Sequence, residues 1–309
     1  MEPLKDIGEH EAIRRLTGLL GSHPDLEVGA GDDCAVCRLP GTGFDQVFTT
    51  DPVIENVHFL PNTDPRRIGH KAVGRVFSDI AAMGARPQWI LVNVVAPSAL
   101  EMGRLEAIYA GMTALCDRFG ATMIGGDLAR GAELELHVFG TGILPAGTAL
   151  LRSGAMPGDT VCVTGPLGCS ANGKHLDFMP RVEEGIFLRE SGCVRAMMDI
   201  SDGLATDLRH IMAASGVGAD LDPKAIPMNG TLEQALFDGE DFELLLTVPK
   251  EKIGQIESAW HERFGRVLAC IGTVTATPNI LRLVDPGGDF SMLEAKAFEH
   301  FSDRESSWN

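Results

Sequence analysis

A run of turn-forming residues near mid-chain constrains the fold more than any other feature. Pro145-Ala-Gly-Thr and then Ser153-Gly-Ala-Met-Pro-Gly-Asp interrupt one series of helix-like and strand-like patterns and separate it from a second. Before the break, apolar spacing predicts a helix over 8–20, short strands over 34–39 and 47–50, and a long helix over 65–83. A strand over 89–96, a helix over 105–119 and an alternating strand over 134–144 complete that half. After it come strands over 160–164, 197–200, 242–248 and 268–273, with helices over 202–214 and 250–264. The chain's 309 residues are about twice a typical single-domain length. An α/β (α+β) protein of two domains, 1–149 and 150–309, is therefore expected.

Charge narrows the ligands such a protein can take. With 26 Lys and Arg against 43 Asp and Glu, the formal net charge is -17. That excludes sequence-independent nucleic-acid binding, which depends on Lys and Arg displacing counterions from phosphates. An acidic protein that handles a phosphate needs counter-charge from elsewhere, and divalent cations held by carboxylates are the usual source. The seven cysteines are scattered and sit mostly in apolar stretches, so they read as reduced and buried. Cys34-x-x-Cys37 has no second pair at zinc spacing. The start, MEPLKDIGEHEAI, lacks the basic-then-apolar pattern of a signal peptide, and the longest apolar stretch, 89–96, is far too short for a bilayer. A cytoplasmic protein without a membrane partner is expected.

Acidic residues recur in small-residue turns or at element ends: Gly31-Asp32-Asp33, Thr49-Thr50-Asp51, Ser78-Asp79, Gly125-Gly126-Asp127, Asp199-Ile-Ser-Asp202-Gly203 and Asp238-Gly239-Glu240-Asp241. Each adjoins an apolar element. A carboxylate stripped of water costs several kcal/mol unless paired or metal-bound, so repeated placement at the edge of a core asks for a cation. Asp79 projects with Ile68, Ala72, Val76 and Met83, on the apolar side of its helix; pairing with Arg75 one turn earlier, or capping of a neighbouring element, is the plainer alternative. Asp202 suits the N-cap of the helix that follows. A helix start with Gly203 also suits phosphate, and Asp199 is not needed for capping. Gly125-Gly126-Asp127 alone reads as a turn. Six such sites offer more oxygen ligands than one Mg2+ uses, so several ions are expected between protein and polyphosphate.

Gly168-Cys-Ser-Ala-Asn-Gly173-Lys174 approaches the phosphate-binding P-loop pattern, but His175 stands where a Ser or Thr hydroxyl would meet Mg2+. It is read as a glycine-rich strand-to-helix turn. The ordered blocks GAGDDCAV, TTDPVIENVHF, KAVGRVFSDIAAMGA, MIGGDLARG, ALLRSGAMPGD, VTGPLG, MDISDGLATDL and DGEDFELLLTVP resemble the thiamine-monophosphate kinases of the aminoimidazole ribonucleotide synthetase-like superfamily. The resemblance spans nearly the whole chain. It implies transfer of the ATP γ-phosphoryl group to thiamine monophosphate. It also implies a homodimer whose amino-terminal sheets form a barrel, with the active site in the cleft between the ATP- and Mg-binding first domain and the second. Carried over by motif, Asp33, Thr49, Thr50, Asp51, Asp79, Asp127, Asp199 and Asp202 would hold magnesium. Tyr109, Gly126, Arg152 and Ser201 would contact ATP, and His58, Glu240 and Phe298 thiamine monophosphate. No dedicated nucleophile is implied, because the acceptor phosphate is already anionic.

Two departures from the family pattern bear on substrate affinity. Asp238 replaces the usual first Gly before Gly-Glu-Asp, and the stretch between Ser170 and Arg181 is shortened. Superfamily relatives that make aminoimidazole ribonucleotide, selenophosphate or a hydrogenase-maturation thiocyanate are the rival enzymes. The Cys and Lys near the start that selenophosphate synthesis wants, and the carboxyl-terminal Cys of the maturation factor, are missing. A nucleotide-binding paralogue that has lost its acceptor is the non-enzymatic rival.

Overall fold

A computed structural model describes residues 3–285 and 287–293. In chain order its elements are α1 (Leu4–Ile7), α2 (Glu9–Thr17), β1 (Leu26–Val28), β2 (Ala35–Leu39), β3 (Phe44–Ile54), α3 (Pro65–Ala82), β4 (Arg86–Ala96), α4 (Met102–Phe119), β5 (Thr122–Arg130) and β6 (Glu135–Pro145). The second half adds β7 (Thr160–Val163), α5 (Lys174–Asp177), α6 (Val182–Ser191), β8 (Ala196–Asp199), α7 (Leu204–Ser215), β9 (Gly218–Leu221), α8 (Leu232–Phe237), β10 (Leu244–Val248), α9 (Ile253–Phe264), β11 (Ala269–Thr275), β12 (Leu281–Val284) and β13 (Phe290–Met292).

The first half is a six-stranded sheet, ordered β1-β2-β3-β6-β4-β5, and the second a seven-stranded sheet, ordered β13-β12-β9-β11-β7-β10-β8. Both are mixed: β4 and β5 run parallel, as do β9 and β12, and the other pairs are antiparallel. The first sheet buries one face. Val92, Val94, Leu136 and Val138 are fully covered beneath α3, whereas Trp89, Ile124 and Leu128 on its strands are 44%, 56% and 64% exposed.

The second sheet is buried on both faces. Along β10, Leu244, Leu246 and Val248 join the core that contains α3 and Trp260, while Leu245 joins the core under α7. The first of these cores is continuous across the two halves, and α3 lies within it, touching β3 and β6 on one side and α5, α6 and β8 on the other.

Helix α3 begins as its sequence dictates: Asp64 caps it by accepting from the Arg66 N–H, and Pro65 takes the first position. It crosses α4 very closely. A Cβ added at Gly69 would lie 1.9 Å from the Ile108 carbonyl oxygen, and one at Gly111 would lie 2.0 Å from the Arg66 carbonyl oxygen. Only hydrogen fits at either point.

Several expectations are corrected. The predicted helix over 8–20 ends at Thr17, and Gly8, at φ 77, separates it from α1. Gly125-Gly126-Asp127 is not a turn; β5 runs through it. The N-cap of α7 is Gly203 rather than Asp202, and no side chain caps that end. Arg75 does not single out Asp79 but grips Asp51 and Glu240. Elements β1, α6, β9, α8, β12 and β13 have no counterpart in the sequence reading.

Candidate active site

Carboxylates far apart in sequence meet where α3 passes between the two sheets. Asp79, near the end of α3, accepts a 2.6 Å hydrogen bond from Thr49 Oγ1 on β3. Its neighbour Ser78 donates to Asp199 Oδ2 at the end of β8. Arg152, in the connection between the halves, donates through Nε and Nη2 to Asp33 Oδ1 and through its backbone N–H to Asp32. The side chain of Asp33 is 1% exposed.

These groups repel one another. Burial pushes the Asp33 carboxyl up to about 8; Arg152 opposes this, while Asp199 and Asp32 add to it. Burial raises Asp199 to about 6 against the Ser78 hydrogen bond. Asp79 is driven well above the usual range by burial and then by the charges of Asp199, Asp51 and Asp33.

The structure brings some of the expected residues together and leaves others apart. Asp33, Thr49, Asp51, Asp79, Arg152 and Asp199 are joined by the contacts above or by mutual charge. Asp202 adjoins them, its charge felt at Asp199 and its backbone N–H bonded to Asp207. Ser201 accepts the Glu240 N–H at 2.7 Å through its carbonyl. Thr50 is exposed and donates to the Val138 carbonyl. Gly126 and Asp127 lie apart. The ladder places Asp51, Val138, Val92 and Gly126 in one row across β3, β6, β4 and β5, so roughly 14 Å of sheet separates Asp51 from the exposed β5 edge. Gly126 is required there, because a Cβ would lie 1.9 Å from the Val92 carbonyl oxygen. Tyr109 packs half-buried against the core from α4, and Phe298 lies outside the described residues.

The acceptor candidates His58 and Glu240 come together through a residue the sequence reading passed over. Lys71 Nζ donates to the His58 carbonyl at 2.7 Å and to Glu240 Oε2 at 2.8 Å. Arg75 was likewise seen only as a possible partner of Asp79. Asp207, wholly buried with Oδ1 accepting no hydrogen bond, was also missed. The available signal was three charges, Lys71, Arg75 and Asp79, at four-residue spacing on the apolar stripe of one helix.

The near-P-loop does not form a phosphate cradle. Its lysine, Lys174, bonds Asp241 Oδ1 and the Pro166 carbonyl, His175 is buried against the Ser170 carbonyl, and α5 has only four residues. The shortened stretch is tied to α3 instead, through Arg67 to Asp177 and His70 to the Phe178 carbonyl. Asp238 turns its carboxylate to the Cys169 N–H.

Two family models match in succession: AIR synthase related protein, N-terminal domain, over residues 31–144, and AIR synthase related protein, C-terminal domain, over 156–283. The two-sheet fold and its buried carboxylates thus define an AIR synthase related protein. A thiamine-monophosphate kinase of Salmonella typhimurium is 36% identical over 327 aligned residues, covering 96% of this chain and 98% of the relative. One from Methanospirillum hungatei is 40% identical over 237, covering 72% and 81%. The solved structure described as AaThiL complexed with AMPPCP and TMP shares 27% identity at a TM-score of 0.84, covering 97% of this chain and 99% of that one. The chain belongs to the thiamine-monophosphate kinase family.

Proposed function

We propose that the protein is an ATP-dependent kinase that phosphorylates thiamine monophosphate to thiamine diphosphate. The observation that carries the reading is the convergence of Asp33, Asp51, Asp79 and Asp199 around α3, in a chain whose relatives over nearly its full length are thiamine-monophosphate kinases.

The residues present fit Mg2+. Asp33 Oδ2 and Asp207 Oδ1 are buried without a hydrogen-bond partner, and the carboxylates around them raise one another's pKa. Among the described residues no three His, Cys, Asp or Glu side chains form a ready-made cage. Mg2+ is usually held by one or two carboxylates, with phosphate and water completing its shell. Asp33, Thr49, Thr50, Asp51, Asp79, Asp127, Asp199 and Asp202 are the proposed ligands of several ions. When bound, the ions would neutralise phosphate charge during transfer.

The chain's own residues orient the reactants. Arg152 offers a cation to ATP together with Gly126, Ser201 and Tyr109, while His58, Glu240 and Phe298 receive the acceptor. An oxygen of the acceptor phosphate forms a bond to the γ-phosphorus as the bond from that phosphorus to the β–γ bridging oxygen breaks, and ADP leaves. No side chain needs to take up a proton or the phosphoryl group. Formation of thiamine diphosphate from thiamine monophosphate and ATP by the purified protein tests the reading; ATP binding without product refutes it. A labelled protein trapped from γ-labelled ATP would refute the direct transfer.

The halves 1–149 and 150–309 are the proposed domains, supported by family-model matches on either side of residue 150. A homodimer is proposed in which the first sheets of two copies close a barrel. Its support is the open β5 edge with exposed Ile124 and Leu128, and the separation of Asp127 from Asp51 across the sheet. Among the described residues no helix is long and apolar enough to cross a membrane; a cytoplasmic location is part of the proposal.

A further inference from the structure

Lys71 is 0% exposed, a severe placement for an ammonium group. Burial pulls it down to about 8 while Glu240 holds it up. An apolar side chain of similar length would fill the same space without that penalty, so the contacts it makes identify its use. They are the His58 carbonyl and the Glu240 carboxylate, the two described residues assigned to the acceptor. One turn later Arg75 reaches the same carboxylate through Nη1 at 3.1 Å, and holds both oxygens of Asp51 through Nε at 3.0 Å and Nη2 at 2.9 Å. Its guanidinium also lies 5.9 Å from the centre of the Phe242 ring.

Glu240 needs such holding. Its φ is 63 and that of Phe242 is 51, left-handed backbone that side chains rarely adopt. The loop is pinned by its backbone N–H to Ser201, by Ser170 Oγ to the Glu240 carbonyl, and by the two cations at the side chain. Removing a cation leaves the loop's backbone bonds in place but frees the carboxylate to turn.

The geometry points to Lys71 and Arg75 as positioning residues for the acceptor, a reading that rests on the kinase function proposed above. Lys71 fixes the separation of His58 and Glu240. Arg75 ties Glu240 to the proposed metal ligand Asp51, so the wall that receives thiamine monophosphate is registered against the point where its phosphate must react. Lys71 touches neither ATP nor a proposed metal ligand, so the effect of losing it falls on one substrate. Arg75 holds the proposed metal ligand Asp51, so its loss reaches the nucleotide side as well.

The test compares Lys71→Met and Arg75→Met with Lys71→Arg and Arg75→Lys. The readouts are KM for each substrate, kcat, melting temperature, and calorimetric titration with thiamine monophosphate in the absence of nucleotide. Both methionine variants are expected to raise KM for thiamine monophosphate tenfold or more and to weaken the titration in parallel. KM for ATP should stay within twofold of wild type in Lys71→Met and rise in Arg75→Met, which frees Asp51. Arg75→Lys should recover part of the loss. Lys71→Met combined with Glu240→Gln should lose no more than the worse single variant, because the partner is already gone. Equal rises in both KM values in Lys71→Met, or a lower melting temperature with unchanged affinity for thiamine monophosphate in either methionine variant, overturn the assignment. If Lys71→Met does not fold, titration of the Arg75 variants with thiamine monophosphate in the absence of nucleotide carries the test at a side chain that is 14% exposed, and unchanged affinity there overturns it. A wild-type protein that binds thiamine monophosphate but makes no diphosphate would sink the kinase reading, while the titration still decides the positioning roles.

Discussion

Two glycine-to-alanine substitutions on the same helix should move stability in opposite directions. Both gain helix propensity, about 1 kcal/mol in a helix interior. At Gly103 in α4 nothing lies within 4 Å of an added Cβ, so Gly103→Ala should keep about 0.5–1 kcal/mol of that gain. At Gly111 the methyl would sit 2.0 Å from the Arg66 carbonyl oxygen, 2.8 Å from its carbonyl carbon and 2.9 Å from its Cα. All three are backbone atoms and cannot swing aside. Normal contact requires α3 and α4 to part by more than 1 Å, with loss of packing along the crossing; overpacking of this kind costs about 3 kcal/mol. The net expectation for Gly111→Ala is a loss of about 2 kcal/mol. Thermal melts of the two variants beside wild type measure this, and a separation of several degrees with opposite signs is expected. Since α3 carries Lys71, Arg75, Ser78 and Asp79, Gly111→Ala should also raise KM for thiamine monophosphate in the folded fraction. A Gly111→Ala protein as stable as wild type, or a Gly103→Ala protein less stable than Gly111→Ala, would refute the close crossing.

Asp202→Asn and Asp127→Asn should each lower kcat roughly 100-fold or more while leaving the melting temperature within a few degrees of wild type; wild-type turnover in either removes that residue from the metal set. Glu243, with a side chain 1% exposed, is held bidentately by Arg181 at 2.8 and 2.6 Å. Burial raises its pKa, but Arg181, Lys174 and Thr164 together outweigh burial and bring it below 4.5. The pair's stabilisation is therefore present above pH 4.5 and lost as pH falls through the depressed folded value. Arg181→Met should cost about 3–5 kcal/mol at pH 7 by stranding the buried charge. Its deficit against wild type should narrow on acidification as Glu243 protonates in the variant, where burial acts without Arg181 to oppose it, and a deficit that is constant or grows on acidification contradicts the pairing.

Much of this arrangement could be read from the chain. The long α3 was legible because Asp64 and Pro65 mark its start and its apolar residues recur at helical spacing, and Asp79 betrayed itself by lying among them. The strand β5 was hidden because Gly125-Gly126 carries a turn signature. Its extended path depends on Val92 of the adjacent strand, and no local window contains that contact. Asp207 escaped notice because an Asp in a helix ordinarily faces water, and its burial depends on how α7 lies against the second sheet. Lys71 and Arg75 were in plain view, but their partners Glu240 and Asp51 lie in different elements, so spacing within α3 could suggest only the local pairing with Asp79. Asp238 departs from the family pattern in the loop before β10; its carboxylate accepts from the Cys169 N–H and helps hold that loop beside the start of the shortened stretch.

One stripe of α3 now answers for four separate contacts, Lys71, Arg75, Ser78 and Asp79, and a helix turns about 100° per residue. Losing or gaining a single residue between positions 71 and 79 would swing every downstream member of that stripe away from its partner at once. The segment should therefore tolerate changes of side chain on its remaining faces yet admit no change of length, whereas indels in surface connections leave such alignments intact.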